Sequence, residues 1–250
     1  MTRIGVTGAR GAMGQTVRTV AADRDDVTVS CLISREGADI DAVHPADLES
    51  ALTNTAVDVL VDFTVPAASV TFASTAASAG IGSVIGTTGF TDSQFDQLRE
   101  TATRAPLLHA PNFSKGVHTL HTVVREAVKR LPDADIELLE THHNRKRDAP
   151  SGTATSLLET IETVRPDAAQ VHGRSGDAPR TDNEIGVHAR RAGSITGEHE
   201  VLLAIEDEEL RLTHRAESRR IFAAGALDAA VWLAEQAPGW YTFDEVLASD

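Results

Sequence analysis

Cysteine and lysine are scarce in this sequence, and long apolar runs are missing altogether. Cys31 is the one cysteine among 250 residues. An intrachain disulfide is therefore excluded, and a reducing, cytoplasmic setting is expected. Cys31 stands in the run Val27-Thr28-Val29-Ser30-Cys31-Leu32-Ile33 and reads as a small buried residue. No apolar stretch approaches the roughly 18–20 residues that span a bilayer. The opening residues, Met1 to Gly11, lack the basic start, apolar stretch and small-residue cleavage site of a secretory signal, so no membrane partner is expected. Lysine occurs only at Lys115, Lys129 and Lys146, and arginine supplies the rest of 23 basic residues against 37 acidic ones, a net charge of −14. The sequence pI is about 5.1. So acidic a chain repels phosphate backbones, which excludes general nucleic-acid binding. An acidic excess with little lysine is expected of a halophilic protein, because concentrated salt screens the self-repulsion.

What remains is ordinary globular material, 41% hydrophobic and 24% charged, without repeats or low-complexity segments. Its length is near the upper limit for one core, so one large domain or two modest ones are expected. Up to about residue 112, short apolar runs alternate with helical patterns. Strands are predicted at 4–7, 27–33, 57–64, 83–86 and 107–110, and helices at 13–22, 66–79 and 92–103. This alternation predicts a parallel sheet with helices on both faces. The rhythm then changes. Val117, Leu120, Val124, Ala127 and Leu131 mark one face of a helix that Pro132 ends. A strand at 136–141 and a helix at 153–164 follow, then strand-like runs at 184–191, 199–205 and 210–216, the last two joined by a turn at 206–209. The expected fold is α/β, a Rossmann-type parallel-sheet dinucleotide-binding domain with an inserted mixed or antiparallel α+β domain. The first comprises 1–113 plus 220–250, since the apolar helix at 220–236 belongs back against it, and the second 114–219.

The first strand runs into Gly8-Ala9-Arg10-Gly11-Ala12-Met13-Gly14 and then a helix. Glycines there permit a tight turn and close backbone approach to a pyrophosphate, and the helix start offers N–H groups to that anion. Placed after the first strand of an alternating chain, the loop points to a dinucleotide site. The second strand ends in Ile33-Ser34-Arg35-Glu36. An acidic residue at this point would bind the adenosine ribose and repel a 2′-phosphate; Ser34 and Arg35 suit the phosphate instead. NADPH is therefore expected to be preferred, with NADH also accepted, and a solvated surface arginine is the alternative for Arg35. Two further loops follow strands of the same sheet: Gly86-Thr87-Thr88-Gly89-Phe90 and Ala110-Pro111-Asn112-Phe113-Ser114. Their hydroxyls, carboxamide and phenylalanine can line a nicotinamide and its ribose; plain turn chemistry is the alternative.

Positive charge gathers in one place. His142, His143, Arg145, Lys146 and Arg147 are crowded together, and Pro150-Ser151-Gly152-Thr153 then opens a helix. Such a focus attracts a small anion, and the helix start can hold a carboxylate. Histidine and lysine both suit general-acid work. A metal site is not expected, because adjacent residues of an extended segment point to opposite faces and no further ligand stands at a suitable spacing. His118 and His121 are taken as a surface pair on their helix.

The stretch Glu137-Leu138-Leu139-Glu140-Thr141-His142-His143-Asn144-Arg145-Lys146-Arg147-Asp148-Ala149-Pro150-Ser151-Gly152-Thr153-Ala154 closely resembles the signature of the 4-hydroxy-tetrahydrodipicolinate reductase (dihydrodipicolinate reductase) family. The resemblance extends over essentially the whole chain and includes the Gly8–Gly14 loop, Asp62-Phe63-Thr64, Gly86 to Phe90, Asn112-Phe113-Ser114 and Gly197-Glu198-His199. It implies an NAD(P)H-dependent oxidoreductase of the diaminopimelate route to lysine, reducing a small cyclic dicarboxylate. By position, His142 and Lys146 resemble the family's proton donors, and His143, Gly152 and Thr153 its carboxylate contacts, beside Ser151. Gly8, Ala9, Arg10, Gly11, Ala12 and Met13, with Gly86, Thr87 and Thr88 and with Ala110, Pro111, Asn112 and Phe113, correspond to its cofactor loops. Where the family commonly carries an acidic residue, Ser34 stands here, followed by Arg35; that departure agrees with an NADPH preference. A homotetramer assembled through the second sheet is also implied. Two other readings stay open on the residues alone: a dehydrogenase of another small acid, or a non-catalytic NADP sensor.

Overall fold

The computed structural model describes residues 1–35 and 41–249, and Glu36 lies outside them. The chain divides into two compact units, one of residues 1–114 with 219–250 and one of residues 115–218.

The first unit is built on six parallel strands. β1 (Thr2–Thr7), β2 (Val27–Ile33), β3 (Val59–Asp62), β4 (Gly82–Ile85), β5 (Pro106–His109) and β11 (Gly239–Tyr241) lie in the order β11-β5-β4-β3-β1-β2. The central strands are apolar on both faces, as strands covered on both sides must be: Val59, Leu60, Val61, Val84 and Ile85 are all fully buried. One face is covered by α1 (Ala12–Ala22) and α7 (Arg220–Leu233), whose Val17, Ala223, Ala226, Leu227 and Leu233 share a core with Ile4, Val6 and Val61. The opposite face carries α2 (Leu48–Asn54), α3 (Pro66–Ser78) and α4 (Asp92–Ala102). This is a doubly wound, Rossmann-like sheet. Its strand order reverses at β1, which lies between β2 and β3, and in such sheets ligands sit outside the carboxyl ends of the strands at that point.

In the second unit β6 (Asp135–His142) pairs antiparallel with β9 (Gly197–Ile205) and parallel with β8 (Glu184–Arg191). The five-stranded order is β10-β9-β6-β8-β7, with β7 at Ala169–His172 and β10 at Glu208–Ala216, so the sheet is mixed. Ile136 and Leu138 of β6 and Val201 and Leu203 of β9 face α5 (Lys115–Arg130) and α6 (Gly152–Glu162), giving this unit its own core. At their far end, β6 and β9 carry polar residues on that same buried face. Glu140, His142 and His199 stand where the alternation calls for apolar side chains.

α2, β7, β11 and α8 (Phe243–Leu247) were not anticipated from the sequence. His121 also departs from expectation. Its ring is half-buried and bonds Thr160 Oγ1 (2.7 Å) and Ser156 Oγ (3.2 Å), tying α5 to α6 rather than facing water.

Candidate active site

In the first unit the glycine loop has the geometry its sequence suggests. Gly8 takes φ +63°, where side chains are strained, and its carbonyl accepts from Gly11 N–H at 2.8 Å. A Cβ on Gly14 would lie 2.3 Å from Gly8 O and 2.8 Å from Ala9 Cα, so this position requires glycine for the helix to pack on the loop. Gly11 is the N-cap of α1, and no side chain caps the helix there. A cleft of about 930 Å³ opens beside the loop, lined by Gly8, Arg10, Gly11, Ser34, Arg35 and Thr64 among others. Uncapped N–H groups, glycines that admit close approach and two exposed guanidinium groups fit a dinucleotide phosphate.

The end of β3 carries a buried carboxylate that has no cation among its hydrogen-bond partners in the described residues. Asp62, at the end of β3 and 1% exposed, accepts from the hydroxyls of Thr7, Thr64 (2.7 Å), Ser69 and Thr87 (2.8 Å). Thr64 N–H in turn donates to Thr87 Oγ1 at 2.9 Å. One buried group thus ties together the ends of β1 and β3 and the loop after β4. The Thr87 hydroxyl is turned inward onto Asp62, rather than outward to line a nicotinamide and its ribose as the sequence suggested. Gly86 is close against Phe63, whose ring a Cβ would overlap at 2.1 Å. Thr88 is exposed, and His109 Nε2 bonds Thr87 O at 3.1 Å. In the last loop Ala110 is buried, Pro111 exposed and Asn112 half-buried, its Oδ1 accepting Ser114 N–H at 2.8 Å. Phe113 differs from expectation: its ring is 1% exposed, packed edge-on to Phe63 and Phe243, and belongs to the core rather than to a ligand surface.

In the second unit β6 ends at His142, and the turn after it leads to α6. Glu140 is fully buried and binds the surrounding groups to one another. Its Oε2 meets His142 Nδ1 at 2.5 Å and Arg191 NH1 at 2.8 Å; its Oε1 accepts Arg191 NH2 at 2.7 Å and Ser151 N–H at 3.1 Å. Burial by itself would raise this carboxyl, but the bonds and charges of His142 and Arg191 bring it down to about 2. Ser151 caps α6, accepting Ala154 N–H at 3.2 Å, and its Oγ contacts His199 Nε2 at 3.0 Å. His199 packs edge-on to His142 with ring centroids 5.1 Å apart. Burial, and then the charge of His142, push its pKa down to about 3, so it is neutral at physiological pH.

Lys146 is half-buried, with Nζ 2.9 Å from Asp148 Oδ2 and its own N–H bonded to His143 O at 3.1 Å. His143 and Thr153 are half-buried, and Gly152, the first residue of α6, is exposed with open space where a Cβ would stand. Arg145 and Arg147 are exposed. His142, His143, Lys146 and the Ser151-Gly152-Thr153 helix start thus belong to one β6–α6 connection. The arrangement offers an anion-holding helix start beside groups able to move protons. Arg191 was missed by the sequence reading; it lies 51 residues from Glu140, and only the parallel pairing of β6 with β8 brings the two together.

Comparison with known proteins agrees along the full length. The family model described as dihydrodipicolinate reductase, N-terminus, matches residues 2–113, and that described as dihydrodipicolinate reductase, C-terminus, matches residues 116–247. The 4-hydroxy-tetrahydrodipicolinate reductase of Haloarcula marismortui is 50% identical over 249 residues, covering 99% of each chain. That of Natronomonas pharaonis is 47% identical over 243 residues, covering 97% of this chain and 98% of its own. Among solved structures, a dipicolinate-bound dihydrodipicolinate reductase from Paenisporosarcina sp. TG-14 superposes with a TM-score of 0.81 at 25% identity, with 97% of each chain covered. The chain belongs to the dihydrodipicolinate reductase family, oxidoreductases of the diaminopimelate route to lysine.

Proposed function

We propose that this chain reduces 4-hydroxy-tetrahydrodipicolinate, through its dehydrated dihydrodipicolinate form, to tetrahydrodipicolinate, with NADPH preferred and NADH accepted. The observation that carries the reading is the β6–α6 connection, which carries Lys146 and runs from His142 to the helix start at Ser151, with His142 and Ser151 both held by Glu140. A reduced nicotinamide supplies the hydride when bound. Gly8, Ala9, Arg10, Gly11, Ala12 and Met13 hold its pyrophosphate, and Arg35 and Ser34 receive the 2′-phosphate at the edge of the cleft. The loops Gly86-Thr87-Thr88 and Ala110 to Phe113 support the nicotinamide end. Thr87 and Phe113 act there through backbone, since their side chains are buried elsewhere.

On the substrate side, the N–H groups of Gly152 and Thr153 at the start of α6, with His143, hold a carboxylate of the dicarboxylate. The cations of residues 145–147 raise its local concentration. Lys146 or His142 delivers the proton that balances the hydride. A homotetramer formed through the five-stranded sheet, a cytoplasmic setting and adaptation to concentrated salt belong to the same proposal. The single cysteine, Cys31, supports the cytoplasmic setting and the net charge of −14 the salt adaptation, while the tetramer is what the family resemblance implies. His142→Ala and Lys146→Ala are each expected to lower turnover roughly 10²–10⁴-fold, the usual worth of a general acid, while leaving NADPH affinity near wild type. Steady-state kinetics with NADPH titrations check this; near-normal turnover in both variants would sink the assignment.

A further inference from the structure

The second unit contains a fully buried carboxylate to which the proposed chemistry assigns nothing. We infer that Glu140 is a positioning residue that fixes His142 as the Nδ1–H tautomer, so that Nε2 is the only ring nitrogen able to give or take a proton. The inference rests on His142 acting in proton transfer.

Glu140 makes four close contacts: Arg191 NH1 and NH2, Ser151 N–H and His142 Nδ1. A guanidinium and a backbone N–H can only donate. Held down to about 2, Glu140 is ionised and has no proton to give. The 2.5 Å contact to His142 therefore requires the proton on Nδ1. The carboxylate itself is fixed by the two-pronged Arg191 contact, and Arg191 also donates to Asp148 O at 2.5 Å. The imidazole can neither turn over nor exchange tautomers without breaking this arrangement.

The other side of the ring is shaped for the same purpose. A Cβ on Gly197 of β9 would come within 3.0 Å of His142 Nε2 and 3.4 Å of Cδ2, so glycine leaves this nitrogen uncrowded. His199 packs edge-on against the imidazole and stays neutral, placing no competing charge there. When His142 gives up its Nε2 proton, the N–H bond breaks and its electron pair stays on the ring. The product is the neutral Nδ1–H form that Glu140 already holds, so no reorganisation accompanies the transfer.

The test begins on the wild-type protein. Histidine ring nitrogens are labelled with 15N, and the His142 signals are assigned by their loss in His142→Gln. At alkaline pH the neutral ring is expected to carry its proton on Nδ1; a proton on Nε2 would overturn the inference without any variant of Glu140. In Glu140→Gln the side-chain amide can donate to Nδ1, so the proton is expected to move to Nε2. Turnover should fall by roughly 10²–10⁴-fold, as for loss of the acid itself, with the KM for NADPH unchanged. A folded Glu140→Gln protein with wild-type turnover, or with the proton still on Nδ1, contradicts the proposal. Full turnover in His142→Gln would instead overturn the role of His142, an outcome distinct from a misplaced proton in the wild type.

Discussion

At the scale of single residues, the second unit concentrates polar groups in a place where they are costly to bury. His199 shows the consequence. Its pKa falls from an ordinary 6.5 to about 3, so in the folded protein it refuses a proton that the unfolded chain accepts. The stability it contributes is therefore present above about pH 6.5 and is lost progressively as the pH falls toward 3. Glu140 adds a second loss below its ordinary 4.5, since it binds its proton only near 2 when folded. In denaturation measured across pH, His199→Asn is expected to flatten the fall between about pH 6 and 4. One unbalanced proton corresponds to about 1.4 kcal/mol per pH unit, the largest difference expected. Parallel curves for wild type and variant would contradict the assignment. Little of this network was legible beforehand. His142 and Ser151 were singled out in the sequence, whereas Glu140 and His199 stood only within stretches that carry the family resemblance, and Arg191, brought in by the pairing of β6 with β8, stood in neither.

At the scale of elements, the glycine loop is where sequence and structure agree most closely. Gly14 has no positive φ to explain it; the reason is the 2.3 Å approach its Cβ would make to Gly8 O. Gly14→Ala is expected to push α1 from the loop at a cost of about 1–3 kcal/mol, the usual range for overpacking, and to weaken NADPH binding roughly ten- to hundred-fold. Fluorescence titration of NADPH checks this, and unchanged affinity would show that the loop tolerates displacement. The elements that escaped the reading are short ones. β11 is three residues paired in parallel with β5, and β7 is largely exposed, so neither carries the apolar signature of a strand. α8 did leave a signal. Thr242 and Glu245 form a capping box, whose spacing stands in the sequence just before a buried Phe243 and Val246. The strands that alternate with helices in the first unit were legible, short as β3 is, because burial on both faces demands continuous apolar runs, as in Val59-Leu60-Val61.

At the scale of the whole molecule, the charge balance is the dominant feature. Ion pairs are carried largely by arginine: Arg24 reaches Asp26 and Asp228 at 2.6 Å each, and Arg3 grips Asp58 with two nitrogens. The guanidinium fork holds such contacts where an ammonium would not, which gives the scarcity of lysine a structural counterpart. The excess of acid remains, and with it self-repulsion. Thermal melts are expected to move to markedly higher temperature between about 0.1 M and 3 M KCl, over which the Debye length shrinks from about 10 Å to below about 3 Å. Equal melting points at both salt concentrations would remove the case for salt adaptation.

The central claim is the reaction itself, and it is tested most directly by NADPH oxidation in concentrated KCl with substrate generated in situ from pyruvate and aspartate semialdehyde by the preceding synthase, NADH being run alongside. Consumption that requires the synthase and is faster with NADPH is the predicted result. No consumption by protein that is folded and binds NADPH would contradict it.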